Sequence, residues 1–152
     1  MVSFQVPGAP DLKGKWNSSL KLSNQFNVAN QNYRNKDIND ITHTIGKISI
    51  AYNEGAFVII ENDKSIYVNG KKHELKGARI EFKYTIISSS ENEIILNQVN
   101  TNNEVEKVIL HFVDGNTYWV YVGKIKKFDS LNTREYFVKV KESKGQSRFK
   151  WK

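Results

Sequence analysis

The chain has 152 residues, enough for one domain with a sizeable core and too few for a second. With 39% hydrophobic, 12% aromatic and 26% charged residues, it has the composition of an ordinary globular domain, unlike that of disordered tails or membrane spans; no apolar run approaches the roughly 18 residues of a spanning helix. It has no cysteine, which excludes disulfides, thiol nucleophiles and Cys-based zinc or iron-sulfur sites.

The net charge of +7 is a property of one end. Residues 1–123 carry 13 Lys/Arg and 13 Asp/Glu, whereas residues 124–152 carry ten basic residues against Asp129, Glu135 and Glu142. Such a block either attracts an acidic protein face, phosphates or anionic lipid by its long-range field, or is a solvated edge that favours solubility. Met1 to Pro10 lacks the basic start and apolar core of a signal peptide. The compartment therefore stays open between the cytoplasm and, for a processed chain, the periplasm or exterior.

Along the chain, hydrophobic residues recur with a period of two, and the runs are punctuated by Gly, Asn, Asp and Ser, with 17 Asn in all. The first run, Lys15 to Leu22, places Trp16, Ser18, Leu20 and Leu22 on one face of a strand. Ser23 to Asp40 reads as a long polar loop with one helical turn at most, a length that marks it as a lid or binding loop. Strands are expected at His43 to Tyr52, Gly55 to Glu61 and Ser65 to Val68. Asn69-Gly70 is then a two-residue turn in which both residues accept positive φ, so that Lys71 to Leu75 pairs back. Further strands follow at Arg79 to Ser88, Glu93 to Val99, Val105 to Val113, Thr117 to Ile125 and Thr133 to Lys141.

About ten strands joined by short turns form a meander, and a long meander curls because open edges pair with other chains. The expected fold is all-β, an up-and-down antiparallel barrel of about 8–10 strands, with a two-sheet sandwich as the rival. The expected division is an N-terminal extension over 1–10, a barrel over 11–141 and a basic tail over 142–152.

Gly14-Lys15-Trp16 opening the first strand and Arg134 opening the last resemble the lipocalin and calycin superfamily. The resemblance implies a barrel whose closed end is plugged by the Trp16 indole, with the Arg134 guanidinium packed across it, and a first loop, Ser23 to Asp40, over the open mouth. It covers about Asp11 to Lys141. A C-terminal helix, a disulfide and a Thr-Asp-Tyr-type motif between the middle strands are missing, which points to an outlying, bacterial member.

Motifs for catalysis are not found: there is no Gly-x-Ser-x-Gly, no phosphate-binding Gly-rich loop and no calcium loop, and His73-Glu74 is followed by Leu75-Lys76-Gly77, not by a second His. His43, His73 and His111 lie on three different strands, with no metal-ligand spacing. Glu91 with Glu93, and Glu104 with Glu106, flank turns and read as solvated charges rather than as a glycosidase pair. No enzyme, no metal and no cofactor is expected.

The aromatic residues are more informative, since a cavity lined by rings with a few polar handles is the usual small-molecule site. Phe82, Tyr84, His111, Tyr118 and Tyr136 are the expected interior ligand-binding residues, with the three tyrosine hydroxyls as handles. The leading functional reading is a protein that holds a small apolar or amphipathic molecule inside its barrel. The alternative is an inhibitor- or immunity-type interaction module that uses its outer surface, where the basic C-terminal region would meet an acidic protein. Nucleic-acid or membrane-surface binding through Arg148-Phe149-Lys150-Trp151-Lys152 ranks below both.

Overall fold

The computed structural model describes residues 9–30, 45–122 and 133–141. Residues 1–8, the second part of the expected long loop, His43 and the basic tail from 142 lie outside the described residues. The described elements are β1 (Gly14–Ser19), α1 (Leu20–Asn30), β2 (Ile48–Tyr52), β3 (Ala56–Glu61), β4 (Lys64–Val68), β5 (Lys71–Leu75), β6 (Arg79–Ser89), β7 (Glu93–Val99), β8 (Val105–Asp114), β9 (Thr117–Tyr121) and β10 (Arg134–Lys139). Eight of these strands close an antiparallel barrel in the order β1-β10-β9-β8-β7-β6-β3-β2, and β4 and β5 form a separate two-stranded ribbon. The fold is therefore the all-β closed barrel expected from the alternation, not a sandwich.

The turn chemistry explains the local order. Asn69 and Gly70 have φ of 51° and 76°, the doubly positive pair that a tight hairpin between right-twisted strands requires. At the root of the same ribbon, Gly77 lies against the Glu61 carbonyl so closely that a Cβ would clash. The Gly77 N–H donates to Asp63 Oδ1 at 2.8 Å.

Closure is made where β1 pairs with both β10 and β2, Trp16 standing beside Lys139 on one side and Ile50 on the other. Trp16 points inward and is fully buried. Its indole N–H donates to the Leu12 carbonyl at 2.9 Å, so the segment before β1 is tied across this end of the barrel. Tyr118 and Phe112 pack on the indole at ring-centroid distances of 4.9 and 5.9 Å, and Phe137 stacks on Tyr118 at 5.1 Å. This half of the interior is filled by rings.

The structure corrects the reading of Leu20 and Leu22 as strand residues: the strand ends at Ser19, and Leu20–Asn30 is a helix. Ser19 caps it, its Oγ accepting the Leu22 N–H at 3.2 Å. The face that packs on the barrel is polar. Ser23 and Asn27 are fully buried, because β1 stops pairing with β10 at Tyr136 and the helix takes over that strand edge. Ser23 Oγ accepts the Tyr136 N–H at 2.9 Å. Asn27 accepts from the Arg134 N–H and donates to the Arg134 carbonyl, both at 2.9 Å, as a neighbouring strand would. A search for apolar periodicity cannot find such a helix.

Asn27→Ala leaves two buried backbone groups of Arg134 without partners and is expected to destabilise the fold by about 3 kcal/mol, read from the denaturant midpoint at unchanged m-value.

Candidate functional site

Strand alternation and the ladder registers decide which side chains enter the barrel. Phe57, Ile94, Leu96, Leu110, Phe112 and Phe137 belong to the buried core. Residues one position away on the same strands face outward. Of the expected site residues, Phe82, Tyr84 and Tyr118 are inside: Phe82 stacks on Phe57 at 5.0 Å, and Tyr84 packs on Tyr52 and Phe57 at 5.8 Å each. The hydroxyls of Tyr84 and Tyr118 are already engaged. Tyr84 donates to the Asn53 carbonyl at 2.5 Å, and Tyr118 shares a 2.9 Å hydrogen bond with Tyr52. Burial raises both buried hydroxyls, Tyr52 and Tyr118, far above the ordinary tyrosine value, so they remain protonated structural pairs.

His111 and Tyr136 are not in the interior, contrary to expectation. His111 alternates with the core residues Leu110 and Phe112 and stacks outside on Trp119 at 4.0 Å. Its pKa is lowered by burial and by the Arg134 charge, against an upward pull from Glu93. Tyr136 alternates with Glu135 and Phe137, which are buried, and its ring lies 6.4 Å from both Phe26 and Trp119. The slip arises because β8 and β10 carry rings on both faces, His111 beside Phe112 and Tyr136 beside Phe137, and shifting the parity of a strand by one residue turns every side chain over.

The same parity overturns the expected Trp16–Arg134 stack. Arg134 faces outward at the other end of β10, opposite Tyr121. Its guanidinium carbon lies 3.7 Å from the centre of the Phe26 ring and 3.5 Å from that of Trp119, and Nη1 donates to the Tyr136 hydroxyl at 3.1 Å. The basic residue of the last strand that meets the Trp16 indole is Lys139, whose Nζ lies 5.4 Å from the ring centre and donates to the Asp11 carbonyl at 2.9 Å. Arg134 thus fastens α1 to the outer wall. Arg134→Ala removes both ring faces and is expected to cost about 2 kcal/mol in unfolding experiments.

The interior changes character toward the Ser19 and Arg134 end. There Ile48, Ile59, Val108 and Val120 are only partly buried against the core, and Ile80, which pairs with Ile59, is 41% exposed. Opposite Val120 in the ladder stands Glu135, a carboxylate that is 8% exposed and that sequence reading treated only as a charge. Ser18 Oγ donates to it at 2.6 Å and accepts the Gly46 N–H at 2.9 Å. Burial pushes the Glu135 pKa up from 4.5 to about 7, against a downward pull from the Ser18 hydrogen bond. The carboxyl group can therefore exchange between hydrogen-bond donor and anion near neutral pH. The clue available in sequence was Arg134-Glu135-Tyr136-Phe137, in which either parity buries one ring and one charged residue.

Among the described residues, no group of three His, Asp or Glu side chains could hold a metal ion, and no helix is long and apolar enough to cross a membrane. A cavity of about 250 Å³ opens on the barrel wall between Glu81–Lys83 and the turn Asn100–Asn103. Compared with known families, curated proteins and solved structures, the chain matches no family model, no curated protein and no solved structure. What defines it is its architecture: an eight-stranded antiparallel closed β-barrel.

Since the folded-state value of Glu135 lies above that of an unfolded carboxyl, the folded chain holds the proton more tightly. The stability it contributes is full below about pH 4.5 and lost as pH rises through about 7, on the order of 3 kcal/mol in all. Glu135→Gln is expected to abolish that loss. In urea titrations the variant should gain on the wild type between about pH 5 and about pH 8.

Proposed function

We propose that this chain is a lipocalin-like binding protein that holds one small apolar or amphipathic molecule in the upper half of its barrel, between Ile48, Ile80, Val108 and Val120, with Glu135 as the polar handle. The observation that carries the reading is the contrast between the two ends. Inward-facing side chains are buried rings at the Trp16 end and half-exposed aliphatic groups at the Arg134 end, which leaves an apolar wall around one buried carboxyl group. The Gly14-Lys15-Trp16 segment at the filled end, with Lys139 over the indole, supports kinship with lipocalins.

A neutral Glu135 can donate a hydrogen bond to a ligand carboxylate or hydroxyl, whereas the ionised form repels a carboxylate. Titration with a fluorescent fatty acid is expected to give saturable one-to-one binding that weakens by about tenfold as pH rises through the Glu135 transition. Glu135→Gln should flatten this pH dependence, and Val120→Trp, which fills the wall, should remove binding with the circular dichroism unchanged. No saturable signal at any pH would sink the proposal.

The rival reading, an interaction module acting through its outer surface, draws on the β4–β5 ribbon. It stands apart from the barrel sheet, with Tyr67 70% exposed and Lys72 opposite it in the ladder. A pull-down that survives Val120→Trp but is lost on Tyr67→Ala would favour it.

A further inference from the structure

The β4–β5 ribbon is held by one ladder, between its own two strands, in which Val68 pairs with Lys71 beside the turn and Lys64 with Leu75 at the root. Among the described residues no strand pairs with the other edge of β5, and on the strand that follows it, β6, pairing with β7 begins only at Lys83. All of Lys71–Leu75 is exposed.

The turn decides which backbone groups this edge offers. Asn69 and Gly70 both have positive φ, and in such a two-residue turn the flanking Val68 and Lys71 exchange their backbone hydrogen bonds, after which the ladder alternates. His73 and Leu75 thus bond back to β4, whereas the N–H and carbonyl groups of Lys72 and Glu74 point outward. The side chains of these two residues are 55% and 69% exposed, and Nζ lies 3.2 Å from Oε1.

Lysines on an edge strand usually keep other strands away. Here a lysine and a glutamate flank His73 with outward backbone groups, and the edge is self-complementary. Because only every second residue faces outward, the register of a second β5 strand can change only in steps of two. An antiparallel copy centred on Lys72 sets that lysine against itself, and one centred on Glu74 sets carboxylate against carboxylate. Centred on His73, each Lys72 meets Glu74 of the other copy and Lys71 meets Leu75, so that no lysine stands opposite a lysine.

We propose that β5 pairs with β5 of a second copy of this chain, antiparallel about a two-fold axis at His73, so that the ribbons form one continuous sheet between two barrels. Across the axis, the N–H of Lys72 donates to the Glu74 carbonyl of the other copy, and the N–H of Glu74 to the Lys72 carbonyl. The pairing leaves the β4–β5 ladder and the barrel interior untouched, and it stands independently of any ligand bound there.

Sedimentation velocity on the full chain over a concentration series, with amide hydrogen exchange, tests the pairing. The expected result is a monomer–dimer equilibrium in which the Lys72 and Glu74 amides exchange more slowly as the dimer forms. Lys72→Glu and Glu74→Lys, at exposed positions, should each leave a folded chain and weaken self-association by about tenfold, because like charges then meet across the axis. Mixed in equal amounts, the two variants should associate again, since the glutamates of one face the lysines of the other. The proposal is overturned by a wild-type chain that stays monomeric at every concentration, which would leave this edge to a strand of another protein. It is equally overturned by variants that associate as well as the wild type, by a mixture no better than either variant alone, or by open-ended assembly in place of a dimer.

Discussion

The closure of the sheet between β1 and β10 is the constraint on which the rest of the molecule depends. A meander of antiparallel strands becomes a barrel only if its first and last strands can satisfy one another's backbone groups, and here β1 is too short to do so alone. It pairs from Trp16 to Ser19, and then the chain enters α1, whose Ser23 and Asn27 side chains supply hydrogen bonds along the remaining β10 edge. Inside the seam, Trp16 plugs one end. Outside it, Arg134 lies between Phe26 and Trp119 and holds the helix in place. One strand, β10, therefore carries three tasks on its two faces: the outer clamp at Arg134, and, inside, the carboxyl at Glu135 and the core ring at Phe137.

The division of the interior into a filled end and an apolar, half-exposed end has the same origin. Large rings concentrate around Trp16, where the segment before β1 crosses the end of the barrel and the Trp16 N–H donates to the Leu12 carbonyl, and Tyr52 and Tyr118 turn their hydroxyls toward each other so that neither is buried unpaired. Toward Arg134 the inward side chains are isoleucine and valine, with Glu135 among them. A carboxyl group in such surroundings is costly when ionised, which is why it holds its proton toward neutrality. The cost is useful only if something else benefits from a protonatable group there, and a bound amphipathic molecule is the reading that uses it.

Two strands divide their length between neighbours and so carry the stagger of the barrel: β6 serves β3 with its first half and β7 with its second, and β8 serves β7 up to His111 and β9 from His111 on. Among the described residues, that arrangement leaves β6 a half-edge without a neighbouring strand on each side, one beside the cavity at Glu81–Lys83 and the other along Thr85–Ser89.

What the sequence determined by itself is the strand content, the turns and the closed all-β architecture, because alternation and turn residues such as Asn69-Gly70 are local signals that act over a few residues. It also placed Trp16 on the core-facing side of the first strand, while its part as the plug was implied only by the resemblance that Gly14-Lys15-Trp16 carries. What it could not determine is the sidedness of β8 and β10, where His111 and Tyr136 compete with equally apolar neighbours for the interior, nor the helix after Ser19, whose buried face is polar. Which basic residue meets Trp16, Lys139 or Arg134, depends on the stagger between β1 and β10. Those matters were decided by tertiary structure, since they follow from which strand lies beside which and at what offset, and a single chain read in order carries no record of its partners across the barrel.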